Sequence, residues 1–356
     1  MGYSVRKFSA TVPLVLAVLS ASSAGAAEQH YLVEPIAGVR DGQSLGMLLD
    51  ATDDGIVAFS SRGNDGQEGS VILNLRTDSL SSFIPAANLR VGSRTIVQDG
   101  MGTVTDLSTG ISLAGPGFSS LDFVILEGAV LSKSSKDISR AMSVGYRYIP
   151  SLYGYQAFFS VVENGALQTR PLRYDAGAPA NSMLAKRVNN RGQIVGNTEP
   201  FDGYASVVYW PSRSSDMVWT DHFDRYVDVW DLNNQGEFVG GGSFNGAFIG
   251  RVGGRIRRLP SPVDSGGCYA RGINENGTIV GSCSSLSDLL QWNRAADDFA
   301  SVKFVSNDGC EYSAASTGAP LFLLNDGSMV LAGGAVPRPG CNAENHSGTI
   351  IARPID

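Results

Sequence analysis

One short phrase, written five times, limits what this chain can fold into. "ATDDGIVAF" begins at Ala51, "VNNRGQIVG" at Val188, "LNNQGEFVG" at Leu232, "INENGTIVG" at Ile273 and "LNDGSMVLAG" at Leu324. Each copy couples an Asn/Asp-rich reversal and a glycine to a short apolar run, the mark of two strands joined by a tight turn. The turn glycines are Gly55, Gly192, Gly236, Gly277 and Gly327, and the last four stand 44, 41 and 50 residues apart. A tight reversal needs positive φ, which glycine adopts freely and asparagine tolerates better than most residues, so both residue types are expected to serve turn geometry.

Intervals of this size match a four-stranded propeller blade and exceed the repeat of a leucine-rich or hexapeptide solenoid. Around Gly236 the strands read "VDVWDL", "EFVGGG", "GAFIGRV" and "RIRRL"; in the next unit they read "CYARGI", "TIVGS", "DLLQW" and "FASVKF". Third strands are expected near Val71, Phe159, Tyr209, Phe248, Leu290 and Ile350. The gap of 88 residues from Val71 to Phe159 is twice the usual spacing and calls for a divergent unit within 88–123, which makes seven; six remain if the middle segment is an insertion. The last unit stops after its third strand, at "GTIIARPID", while "HYLVEPIAG" near the start is a lone strand. Both shortages are solved if Tyr31–Ile36 supplies the missing fourth strand and closes a ring. The fold class predicted is therefore all-β: a β-propeller, one domain over 27–356, with a divergent segment at 88–151.

Residues 1–26 read as a secretory signal peptide: Arg6 and Lys7, an apolar run over 11–21, then small residues with Ala24 and Ala26 at a cleavage pattern. The apolar run is about half the length of a spanning helix, so no membrane insertion is expected, and the predicted location is the periplasm or the extracellular space. Removing this leader leaves 330 residues and moves the formal charge from −7 to −9. An acidic chain whose single basic cluster is "RVGGRIRRL" (251–259) argues against a nucleic-acid partner; that cluster reads as a hairpin with an exposed basic strand.

Export also permits disulfides. Ile273 set opposite Thr278 gives an index sum of 551, and Cys268 and Cys283 share it, so antiparallel pairing places the two cysteines face to face. Cys310 and Cys341 are left to pair with each other.

Chemistry is sparse. His222, with Asp224 and Asp228 nearby in "TDHFDRYVD", is the best candidate for acid/base work, although no nucleophile elbow or oxyanion motif accompanies it. Asn64, Asp65 and Glu68 offer oxygen donors of the kind calcium favours, without EF-hand spacing; no other cofactor is implied. Trp210, Trp219, Trp230 and Trp292 are candidates for stacking on sugars, but Trp210 and Trp292 recur at one place in the third strand and are expected to serve packing.

The pattern "AxxIN-x-x-G-x-IVG", followed by "AFxW"-like strands, resembles the bacterial HAF-type extracellular repeat proteins. The resemblance covers the unit from Ala51 and the chain from Gln156 onward; "HAF" itself is reduced to "QAF" at Gln156 and "GAF" at Gly246. It implies an exported repeat protein. The function expected is that of a monomeric binding or interaction module for a protein or glycan, with recognition loops in 88–151. The alternative is a polysaccharide lyase or hydrolase with carboxylates in the central mouth.

Overall fold

In the computed structural model the described residues are 27–36, 39–40, 43–45, 48–51, 55–62, 68–80, 84–85, 90–91, 96–98, 104–106, 111–112, 142–149, 154–163, 166–174, 182–189, 191–198, 204–243, 246–262, 267–284, 286–295, 298–314, 321–341 and 348–355. Among them the regular structure is entirely β. The strands group into antiparallel units at 48–85, 90–112, 142–171, 183–224, 227–258, 268–305 and 321–354, referred to here as units 1 to 7. Unit 4 is a meander of Met183–Val188, Ile194–Thr198, Ala205–Trp210 and Val218–Asp224, and unit 6 repeats it with Cys268–Ile273, Ile279–Cys283, Leu289–Trp292 and Phe299–Val305. The divergent stretch contains four short strands between Arg90 and Ser112, paired in sequence order.

Alternation along each strand sends side chains to both faces, and both are covered. Val195, Val207 and Tyr209 of unit 4 meet Val227, Val229 and Phe238 of unit 5. Val239 and Ile249 on the other face of unit 5 meet Ala270, Ile279 and Trp292 of unit 6. The same face-to-face contact joins unit 3 to unit 4, unit 6 to unit 7, and unit 7 back to unit 1, where Phe322, Leu324 and Val330 pack on Val57, Phe59 and Leu73. Each buried Val, Leu, Ile or Phe contributes roughly 1.5–3 kcal/mol, so these interfaces carry most of the cohesion of a repeat array.

The termini meet. Ala27–Pro35 runs antiparallel to Ile350–Pro354, with Tyr31 opposite Pro354 and Pro35 opposite Ile350, and completes unit 7 as its outermost strand. It also does something the sequence did not announce: Ala27–Leu32 pairs in parallel with Ala300–Val305, the outer strand of unit 6. Units 6 and 7 are thereby stitched by backbone hydrogen bonds, in addition to the pairing of Phe304 and Val305 with Tyr312 and Glu311. Tyr31, fully buried, donates its hydroxyl to Gln291 Oε1 at 2.6 Å and so reaches into unit 6 as well. Next to this seam Glu311–Ala314 and Ala335–Pro337 form a strap that encloses the first hairpin of unit 7, and the Cys310–Cys341 disulfide closes its base. Asp288 of unit 6, which also accepts from Lys303 in its own unit, ties the strap down by accepting from Arg338, beside the backbone pairing of Phe304 and Val305 with Tyr312 and Glu311.

The repeated turn is one residue longer than expected. Ile273 pairs with Ile279 rather than Thr278, and Asn274 N–H donates to Thr278 O while Gly277 N–H returns to Asn274 O. This is a three-residue loop ending on a left-handed glycine, and it recurs at Gly192, Gly236 and Gly327, with φ between 72° and 84°. Cys268 and Cys283 still face each other because a second irregularity cancels the first: a β-bulge between Ala270 and Gly272 returns the index sum from 552 to 551. Matching bulges lie between Ala185 and Arg187, Val229 and Asp231, and Leu48 and Asp50, always in a unit's first strand.

The bulge explains the glycine of "IVG". A Cβ on Gly281 would lie 2.0 Å from Tyr269 O, and one on Gly196 1.8 Å from Leu184 O, in each case the carbonyl two residues before the bulge. In units 4, 5 and 6 bulge and glycine go together, whereas unit 1 carries the matching bulge with Phe59 in the glycine's place.

The turn asparagines do not take positive φ; among described residues other than glycine only Asp78 does. Asn233 Oδ1 instead accepts from Gln235 and Glu237 N–H, folding its own loop, while its Nδ2 donates to Asn274 O in the next unit at 3.1 Å. Asn189 donates likewise to Asn233 O at 3.0 Å, and Asn274 to Leu324 O at 3.0 Å. All three are buried, and together they form a ladder of side-chain to backbone bonds linking the turns of units 4, 5, 6 and 7.

Candidate functional site

The first strands of units 4, 5 and 6 approach one another at the inner ends of the sheets. A bulge turns one extra side chain out of each, and these are Lys186, Trp230 and Arg271. They are half-buried and do not belong to the packed clusters between units. Each reaches a neighbouring unit. Lys186 Nζ lies 3.6 Å from Asp228 Oδ1 and 5.3 Å from the centre of the Tyr146 ring, while the Arg271 guanidinium lies 5.1 Å over the Trp230 ring. Tyr269, at the position in unit 6 that Asp228 holds in unit 5, is half-buried beside them. The result is a continuous arc across four units: Tyr146, Lys186, Asp228, Trp230, Arg271 and Tyr269.

Among the described residues the arc brings together two cations, Lys186 and Arg271, and the carboxylate of Asp228. Burial pulls the Arg271 guanidinium below its ordinary range, and the neighbouring Tyr269 partly offsets this. A desolvated cation gains more from an anionic partner than a hydrated one does. Trp230 Nε1 is buried and has no acceptor among the described residues.

Of the acid/base trio, Asp228 is part of this arc, ion-paired to Lys186. Asp224 ends the last strand of unit 4 and is 1% exposed, with Oδ2 within 2.3 Å of where a Cβ on Gly242 would sit, so that glycine admits the carboxylate. His222 shares the strand Val218–Asp224, with its side chain outside the described residues. Asn64 and Asp65 also lie outside them, and Glu68 is placed only through its backbone, at the start of Glu68–Asn74. Among the described residues no group of three or more His, Cys, Asp or Glu side chains gathers around a common point.

The tryptophans sort into two kinds. Trp210 and Trp292 are fully buried, and their Nε1 groups donate at 2.7 Å to Arg173 O and Pro260 O, in the connections that precede their own units. Trp219 packs on the cluster between units 3 and 4, which leaves Trp230 for the arc. The basic cluster is the hairpin expected: Gly254 N–H bonds Arg251 O, and Arg257–Arg258 is an exposed edge strand. An open cleft of about 720 Å³ lies at the outer seam, lined by Glu28, Gln29, His30, Val305 and Ile355; its side chains do not converge as those of the arc do.

Sequence reasoning missed the arc because its members differ in chemical type. A signal was present all the same: Lys186, Trp230 and Arg271 each stand three residues before the turn asparagine of their unit, so aligning the units on Asn189, Asn233 and Asn274 puts them in one column.

Solved structures share the architecture. The RRP9 WD40 repeats are 11% identical over 91% of this chain and 97% of that chain, with a TM-score of 0.51. The β-propeller domain of Cps50 (Swd1) from Myceliophteria thermophila is 8% identical over 91% and 99%, with a TM-score of 0.52. Streptogramin B lyase is 10% identical over 91% and 98%, with a TM-score of 0.51. No protein-family model and no curated protein sequence matches the chain. At these identities the likeness speaks to fold alone: the chain is a β-propeller.

Proposed function

We propose that this protein is an exported, seven-bladed β-propeller of the HAF-type extracellular repeat class, and that it is a binding module whose ligand contacts the arc at the inner mouth. The observation that carries the reading is positional. Three successive units break their own repeat at the same bulge and place there a lysine, a tryptophan and an arginine, where the rest of the inner strand is spent on packing. A rigid ring with non-repeated side chains at one end is a scaffold for recognition. Export is supported by the leader-like first 26 residues and by two disulfides. Binding is favoured over catalysis because Asp224 is buried against Gly242 and Asp228 is engaged by Lys186, so the two carboxylates are not disposed as an acid/base pair.

The test uses the purified 27–356 chain on glycan and secreted-protein arrays, with and without calcium, beside the K186A/R271A double variant. Hits that vanish in the variant, while its melting temperature is kept, support the mouth as the site. Hits that persist unchanged move recognition elsewhere, and a calcium-dependent hit directs attention to Asn64, Asp65 and Glu68.

A further inference from the structure

Away from the mouth, one sheet edge is both charged and open. Arg257–Arg258 is the outermost strand of unit 5, and no strand among the described residues pairs with its far side. Leu259 N–H bonds Ala247 O and Arg257 pairs with Ile249, so Arg258, between these bonded pairs, points its backbone N–H and C=O outward along the edge. Residues 251–258 hold four arginines, and 246–262 hold no carboxylate. All four arginines are exposed. Arg257 donates to Arg294 O and Ala295 O of unit 6, which fixes the strand, whereas Arg251, Arg255 and Arg258 have no hydrogen-bond or ion-pair partner among the described residues. Glu237, the carboxylate opposite Arg251, is taken by Arg294 at 2.8 Å.

Unit 6 shows what such an edge accepts. Its outer strand, Phe299–Val305, carries Ala27–Leu32 as an added strand, and Glu28 of that strand lies 3.9 Å from Lys303 of the edge. The two edges are equivalent by position: Ile249 and Leu290 each stand 13 residues after the turn glycine of their unit, and they pair with Arg257 and Ser301. Arg257 and Arg258 therefore take the places of Ser301 and Val302, which face Glu28 and Gln29. A second copy of this chain is a poor occupant, since edge to edge its arginines would oppose arginines. We infer that the outer edge of unit 5 receives an extended acidic segment of a partner protein as a further strand, its carboxylates met by Arg251, Arg255 and Arg258 and its backbone by that of Arg258. This surface lies on an outermost strand, away from the inner strands that form the mouth, and does not depend on the reading of the mouth.

The experiment titrates the 27–356 chain into a short labelled peptide of alternating threonine and glutamate, read by fluorescence anisotropy. It is repeated with glutamine in place of glutamate, with N-methylation of alternate backbone amides, and with labelled dextran sulfate. Expected is binding of the glutamate peptide that weakens about tenfold in R251Q/R255Q/R258Q, the loss of three exposed ion pairs together, with the melting temperature kept. The glutamine and N-methylated peptides are expected to lose at least as much, and K186A/R271A to leave binding unchanged. Because the altered peptides need no protein variant, they keep the test intact where the triple variant does not fold. An N-methylated peptide that binds as tightly as its parent removes strand addition and overturns the inference. Dextran sulfate that binds more tightly than the peptide, with the same loss in the triple variant, assigns the edge to an anionic polysaccharide instead. Absence of peptide binding, or binding indifferent to the triple substitution, overturns the inference outright, and loss in K186A/R271A alone moves acidic recognition to the mouth.

Discussion

Asn233 Nδ2 donates to the backbone carbonyl of Asn274 at 3.1 Å, across a unit boundary and 41 residues along the chain. The same side chain folds its own loop through Oδ1. A turn residue that also bonds the next turn couples local structure to the packing of units, which turn propensity alone does not do. Asn233→Ala strands the loop N–H groups and the Asn274 carbonyl in a buried place, and the expected cost is about 1–3 kcal/mol. Denaturant unfolding measures it. Asn233→Asp is expected to recover little, because it restores the acceptor but not the donor that crosses the boundary. If Asp proves as stable as Asn, the ladder is not what the residue is for.

The glycine opposite the bulge, Gly196, Gly240 or Gly281, is expected to be the least replaceable residue of units 4, 5 and 6. A Cβ on Gly281 meets Tyr269 O at 2.0 Å, backbone against backbone, where no rotamer change gives relief. Gly281→Ala is expected to cost about 3 kcal/mol or more. Gly309→Ala is the control: its φ is +81° but a Cβ there has nothing within 4 Å, so only the left-handed conformation is penalised, by about 1 kcal/mol. Melting curves of the two variants that coincide would contradict the bulge-and-glycine device.

Much of the fold was legible before any coordinates, and the reasons are particular. The third strands expected near Tyr209, Phe248 and Leu290 are third strands, because turn spacing and apolar runs report strand order directly. The Cys268–Cys283 pairing was legible for a less secure reason: the loop is one residue longer than expected and the bulge at Arg271 removes the difference. Bulges were invisible because an extra residue in a strand changes no composition. For that cause the arc was invisible too, since Lys186, Trp230 and Arg271 owe their placement to bulges. The parallel pairing of Ala27–Leu32 with Ala300–Val305 had no local sign at all, being a contact between outer strands 273 residues apart.

The two disulfides are expected to differ in worth. Cys268–Cys283 closes 15 residues already held as one hairpin, whereas Cys310–Cys341 closes 31 residues and binds the strap around the first hairpin of unit 7. Loop-closure entropy alone assigns about 3 kcal/mol to the first and about 3.7 kcal/mol to the second. The C310S/C341S variant is therefore expected to lose more stability than C268S/C283S, and limited proteolysis to cut first between 310 and 341. Preferential cutting near Cys268 in both variants would place the weak point in unit 6 instead.

Closure of the ring should be sensitive to alkali through one side chain. Tyr31 is buried at the seam, donates to Gln291 Oε1, and burial pushes its pKa from 10.0 to about 12. A raised pKa on an acid means that the fold disfavours the ionised form. The stabilisation is complete below pH 10, where the unfolded phenol is still protonated, and is lost as pH rises from there to about 12. A shift of this size corresponds to roughly 3 kcal/mol, since each pKa unit is worth about 1.36 kcal/mol. Tyr31→Phe lacks the titrating group, so it is expected to be less stable than the native chain near neutrality, by about 1 kcal/mol for the missing hydrogen bond. Its stability should then fall less steeply than the native chain's between pH 10 and 12. Urea unfolding of both proteins across that window, followed by tryptophan fluorescence, measures the difference. Parallel curves would mean that the seam opens before Tyr31 ionises, and that the pairing of Ala27–Pro35 with its two neighbours holds the ring less firmly than the buried phenol implies.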